Sequence, residues 1–241
     1  READAAHYRK PTELGGYLFR PNDWAVEDPT ALIKPGPLAK PLVVSTLGSL
    51  CDYLKANRDG LELGTVVVHV ASPSQVYVGS ALEHRAKTRE FYIQATCLDT
   101  TEGFVGKFHP MEDFLINLQT RFTDADSRAD ILRLLSNVKH EAVKSALDDG
   151  MTQVVQARAG VALVSDVAVP NPVRLTPYRT FRDVLQPSSP VVLGLNSGRS
   201  GGLPEAALFE ADAGTWKLNT IQRVADWLRE HLAGVDVAIL A

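Results

Sequence analysis

The sequence predicts a single α+β domain: a largely antiparallel, hairpin-rich sheet with about four packed helices, preceded by an extended N-terminal arm. Three observations predict it. Short apolar runs rich in β-branched or alternating residues recur between turn residues. Other segments carry apolar residues at helical spacing behind capping residues. Residues 1–41 differ from both, with Pro11, Pro21, Pro29, Pro35, Pro37 and Pro41 among Gly15, Gly16 and Gly36.

The arm spans 1–41 and the domain 42–241. Proline restricts its predecessor and lacks a donor, so regular structure should be sparse in the arm. Yet Tyr17, Phe19 and Trp24 are too apolar for a free tail. The arm is expected to pack on its own domain or on a neighbouring subunit.

In the domain, Thr46 is an N-cap for a helix carrying Leu47, Leu50, Cys51 and Leu54, ended by Asp59-Gly60. Three strands follow: TVVVHVA (65–71), QVYVGSAL (75–82) and REFYIQATC (89–97), read as a meander. Pro110 opens a second helix, and Glu112 and Asp113 suit its positive end. Its stripe of Met111, Phe114, Leu115, Leu118 and Phe122 is core. A third helix starts at Asp126 or Ser127 and carries Ile131, Leu132, Leu135 and Val138.

Residues 139–147 admit two readings. They continue a helix capped by Gly150, or they form a strand joined by Asp148-Asp149-Gly150 to MTQVVQA. Either way the two acids end an element, and turn chemistry accounts for them. Beyond Gly160 the chain reads as strand punctuated by Pro170, Pro172 and Pro177. Strands at 191–196 and 206–212 are joined by SGRSGGLP. A last helix capped by Asn219 or Thr220 ends at Gly234, and VDVAIL closes the chain as a strand.

The chain has 241 residues, 45% hydrophobic and 22% charged, enough to bury a core without a staple. A net charge of −4 argues against a generally basic nucleic-acid-coating protein. No apolar run reaches the length of a membrane helix. Cys51 and Cys97 lie in apolar-periodic segments without a CxxC partner and read as buried thiols. His69, between valines, reads as a sheet residue. The six histidines show no metal-ligand spacing, so no metal and no cofactor is expected.

No catalytic residue is assigned. Gly198 to Gly202 matches the GxSxG pattern around Ser200, and Asp212 or Asp226 with His231 completes a serine hydrolase triad on paper. A nucleophile elbow needs a following helix, however, and a strand-like run follows instead. Two basic-aromatic patches are candidate nucleic-acid or partner surfaces. One holds Arg85, Lys87 and Arg89 before Phe91 and Tyr92; the other holds Arg174, Tyr178, Arg179 and Arg182. A solvated, salt-bridged surface explains the same residues.

The segments DDGMTQVVQARAGVA, VAVPNPVRLTPYRTFRDVLQP and AALFEADAGTWKL, in that order, resemble the YfdQ-like family of uncharacterised tailed-phage and prophage proteins. The helices PMEDFLINLQ and TLGSLCDYLK fit the same pattern, and the likeness covers roughly residues 42–232. The resemblance implies a phage origin and expression in the bacterial host cytoplasm, makes 139–147 strand, and supplies no catalytic residue. The expected function is non-enzymatic. It is that of a phage accessory protein acting by binding and self-association, either sequestering a host protein or signalling nucleotide in counter-defence or building a symmetric scaffold or compartment. The alternatives are a nucleic-acid-binding helper in phage recombination or replication and, last, a serine hydrolase.

Overall fold

The computed structural model describes residues 39–82, 88–98, 101, 103–125, 127–136, 171–196 and 204–241 in full, and the backbone of four further strands. The chain divides into two compact units, Arg1–Lys40 and Pro41–Ala241. In the first, β1 (His7–Pro11) and β2 (Tyr17–Pro21) pair antiparallel. More regular structure forms there than the proline count suggests. Pro11 and Pro21 lie at strand ends, where a missing donor costs little. Tyr17 and Phe19 lie on β2, and Trp24 falls outside the described residues.

The second unit is an α+β domain with four helices among the described residues. Its strands divide between two principal sheets rather than forming one. The first sheet uses β3 (Leu42–Val44), β4 (Val66–Ser72), β5 (Gln75–Ser80), β6 (Phe91–Thr96) and β13 (Ala238–Leu240). Their order is β13-β4-β5-β6-β3. The expected β4–β5–β6 meander is antiparallel, while both edge strands pair parallel to their neighbours.

Period-2 alternation decides which face of this sheet is buried. Val66, Val68, Val70, Val76, Val78, Ile93 and Ala95 turn inward. Helices α1 (Leu47–Ala56) and α4 (Thr215–His231) cover them with Leu47, Leu50, Leu54, Val224 and Leu228. Cys51 joins this core, and burial pushes its thiol up to about 11. Cys97 is only half-buried, because it lies just past β6, and its thiol donates to the Leu98 carbonyl. His69 is exposed on the opposite face.

The second sheet has the order β10-β11-β12-β7. It contains β7 (His109–Pro110), β10 (Val173–Leu175), β11 (Ser189–Asn196) and β12 (Glu205–Glu210), all antiparallel. Helices α2 (Met111–Thr120) and α3 (Arg128–Ser136) fill its inner face. Phe114, Leu118 and Phe122 from the predicted α2 stripe are buried there, with Ile131 and Leu135 from α3. A separate antiparallel ribbon joins β8 (Gln153–Ala159) to β9 (Ala162–Val169). The described partner of MTQVVQA is therefore the strand after it. Residues 139–147 and Asp148-Asp149-Gly150 lie outside the described residues.

Caps fix where two helices begin. Thr46 Oγ1 accepts the Ser49 N–H at 3.2 Å, as predicted for α1. The Asp183 carboxylate, from the loop before β11, also accepts the Leu47 and Gly48 N–H groups at 3.2 and 3.1 Å. The helix ends earlier than expected, because Asn57 adopts the left-handed conformation at its C-cap. The last helix starts before Asn219. Asp212 accepts the Gly214 and Trp216 N–H groups, and Ala213 (φ 51°) and Gly214 (φ 79°) make the turn into Thr215. The Asp212 cap draws Thr215, Trp216, Lys217 and Leu218 into α4 ahead of Asn219.

Asp183 fills two donors of α1 that would otherwise lack an intrahelical acceptor. Asp183→Ala is expected to lower stability by about 1–2 kcal/mol, and Asp183→Asn by less. Urea unfolding of the three proteins measures the difference.

Candidate functional site

A cleft of about 760 Å³ opens where the ends of the two sheets meet. Its walls come from four places in the chain. The first is the β4–β5 turn, Ser72 to Gln75, whose Pro73 carbonyl accepts the Thr180 hydroxyl at 2.6 Å. The second is the loop Thr101–Gly106, tied by the Thr101 N–H to the Tyr178 carbonyl and by the Gly106 N–H to the Leu208 carbonyl. Gly103 and Gly106 have φ of 84° and 87°, a region that side chains avoid, so this loop needs both glycines. The third wall is Arg179. The fourth joins the end of β12, Phe209 and Glu210, to the first turn of α4, Trp216 and Lys217.

Arg179 is the central charge. It is 6% exposed. Its Nη2 donates to the Pro187 carbonyl at 3.1 Å and to Ser189 Oγ at 2.6 Å. Its guanidinium carbon lies 3.7 Å from the centroid of the Trp216 ring, a stacked cation–π contact. Nη1 faces Glu210 Oε1 at 3.6 Å, and Nε has no partner among the described residues. Burial pulls the guanidinium pKa down to about 10, against the opposing pull of Glu210 and Asp212, so it stays charged at neutral pH. Glu210 also accepts the Trp216 indole N–H at 2.8 Å. Lys217 is exposed, with Nζ 5.7 Å from the Trp216 ring.

The second predicted patch is split by the structure. Arg179 turns inward to the cleft, while Arg174 and Arg182 stay at the surface. Arg182 lies over the half-buried Tyr178 ring at 3.6 Å. The split follows from the loop's path: residues 179, 180 and 181 are buried in succession, between the half-buried Tyr178 and the exposed Arg182. Of the first patch, Arg85 and Lys87 lie outside the described residues. Arg89 is exposed and donates to the Ser80 carbonyl at 3.1 Å.

Ser200 also lies outside the described residues. Its paper partners are dispersed. Asp212 caps the start of α4 and His231 sits in its last turn, about 24 Å away at 1.5 Å per residue. Asp226 pairs with Arg229 at 2.6 Å, and His231 stacks on Trp227. No group of three or more metal-ligating side chains occurs among the described residues. None of their helices is long and apolar enough to cross a membrane.

Sequence reasoning reached Arg179 but missed Thr101, Glu210, Trp216 and Lys217. Glu210 ends an inward-facing row of β12 and looks like an ordinary strand terminus. The Asp-Ala-Gly-Thr-Trp run was the available signal, since an aspartate two residues before a glycine marks a capping turn. The chain matches no protein-family model, no curated protein and no solved structure.

Arg179→Met keeps an apolar stem under Trp216 but deletes the donors to Pro187 and Ser189 and strands Glu210. It is expected to cost about 3 kcal/mol, the low end for breaking a buried pair, because the Glu210 side chain is 30% exposed. Arg179→Lys should recover little, since an ammonium cannot stack on the ring and reach both acceptors. Chemical denaturation of both variants checks this.

Proposed function

We propose that the protein acts by binding rather than catalysis, with the Arg179–Trp216 cleft as its binding site. The observation that carries this reading is a concave space of about 760 Å³ lined by aromatic rings and converging charged groups. That volume lies within the roughly 300–1,000 Å³ of small-ligand pockets. The resemblance to YfdQ-like phage proteins makes the role an accessory one in an infected bacterial cytoplasm, with sequestration of a host molecule as its most direct form. Self-association is part of the same proposal, and the apolar residues Tyr17, Phe19 and Trp24 of the first unit motivate it.

The three tryptophans, Trp24, Trp216 and Trp227, give three indole N–H signals, and Trp216→Phe assigns the one in the cleft. A panel of small neutral, cationic and anionic fragments is expected to shift the Trp216 indole signal selectively with at least one class. If no class moves it, the cleft reading fails. Light scattering of the full chain across concentrations tests self-association separately, and a constant monomer mass rejects it.

A second reading is a nucleic-acid helper, supported by the exposed Arg174 and by Arg182 stacked on Tyr178. It predicts a gel shift with single- or double-stranded DNA that weakens steeply with salt. It further predicts that Arg174→Ala with Arg182→Ala weakens that shift.

A further inference from the structure

We propose that the cleft takes a small organic anion, a phosphate or carboxylate carried on a flat ring system, and that Glu210 is the chain's own competitor for it. This rests on the reading of the cleft as the binding site. Among the described lining residues the cations are Arg179 and Lys217, and the carboxylate is Glu210. Asp212, close by in sequence, is committed to the Gly214 and Trp216 N–H groups at the start of α4. Among the described residues no carboxylate lies within ion-pair distance of Lys217.

The Arg179 guanidinium is incompletely satisfied. Nη2 has two acceptors, but among the described residues Nε has none. The 3.6 Å separation of Nη1 from Glu210 exceeds the roughly 2.7–2.9 Å of a charge-assisted hydrogen bond. Glu210 thus neutralises the buried cation without completing its hydrogen bonds. An incoming anion can supply both the charge and an acceptor at hydrogen-bonding distance from Nη1, and Lys217 adds a second charge at the rim. The Glu210 side chain, 30% exposed at the end of β12, has solvent to turn toward. Val105, Phe209 and Trp216 supply the apolar lining that a ring requires. A cationic ligand would gain Glu210 but face two like charges, one of them desolvated.

The test uses the uniformly labelled full chain with AMP as probe, and adenosine and inorganic pyrophosphate as controls. Calorimetry gives the affinity, and the Trp216 indole signal gives the location. AMP is expected to bind at the cleft at least about tenfold more tightly than adenosine. Pyrophosphate, lacking a ring, is expected to bind more weakly than AMP. Lys217→Glu should weaken AMP about tenfold. Glu210→Gln keeps an acceptor for the Trp216 indole but removes the competing charge, and should tighten AMP several-fold. Equal binding of adenosine and AMP, or a Glu210→Gln variant that binds AMP no better than wild type, overturns the inference. If AMP leaves Trp216 unmoved in both proteins while neutral or cationic fragments shift it, the anion inference fails and the cleft reading stands. If nothing of any charge shifts it, both fail.

Discussion

The second unit depends on how residues 179–187 cross from one sheet to the other. This segment leaves β10 of the second sheet, yet it buries Phe181 and Val184 in the core of the first. The crossing is fixed by polar contacts at each step. Thr180 donates to Pro73, and Asp183 accepts from the first turn of α1. Gln186 holds the loop's own backbone, accepting from the Arg179 and Thr180 N–H groups and donating to the Thr180 and Phe181 carbonyls. Such a loop would be costly to bury without these partners, since each unpaired buried backbone group loses its water. The side chains of Asp183 and Gln186 replace that water where the chain turns inward at Arg179 to Phe181 and at Val184.

The cleft is a consequence of this crossing. Arg179 begins the segment and is drawn inward with it, to a place where it is buried. Its charge is tolerated because Pro187 and Ser189, from the far end of the same loop, return to meet it. Trp216 covers one face of the guanidinium, and Glu210 approaches one edge. A buried ion pair is weak evidence for stability, because desolvation offsets much of the attraction. A guanidinium whose Nε has no partner among the described residues is a poor choice for holding two layers together. The same arrangement leaves the guanidinium edge toward Glu210 without a hydrogen bond of ordinary length.

The surroundings divide the labour. The outward face of the first sheet carries His69, Val43 and Leu240, the last two 71% and 54% exposed. The outward face of the second seats Phe209 and Phe108 against Gly194, where an added Cβ would lie 3.1 Å from the Phe209 ring. That glycine lets an aromatic residue lie flat across the strand beside the cleft. Aromatic, cationic and acidic groups converge at the junction because strand ends and helix starts meet there, leaving backbone turns that neither core covers.

Much of the fold was legible locally. The cap at Thr46, the meander of β4 to β6, the stripe of α2 and the strand pair β11–β12 follow from period, β-branching and turn residues, all properties of neighbours in sequence. The α+β class follows from them. Sequence did not divide the strands between two sheets, pair β3 with β6 and β13 with β4 in parallel, or turn Arg179 away from Tyr178 and Arg182. Those outcomes rest on contacts between residues far apart, such as Asp183 with Gly48 or Thr180 with Pro73, which no local period encodes. An arginine among aromatics reads as surface in a linear pattern. Only the tertiary structure, by running its loop through the junction of two cores, gave it a buried place and made a cleft around it.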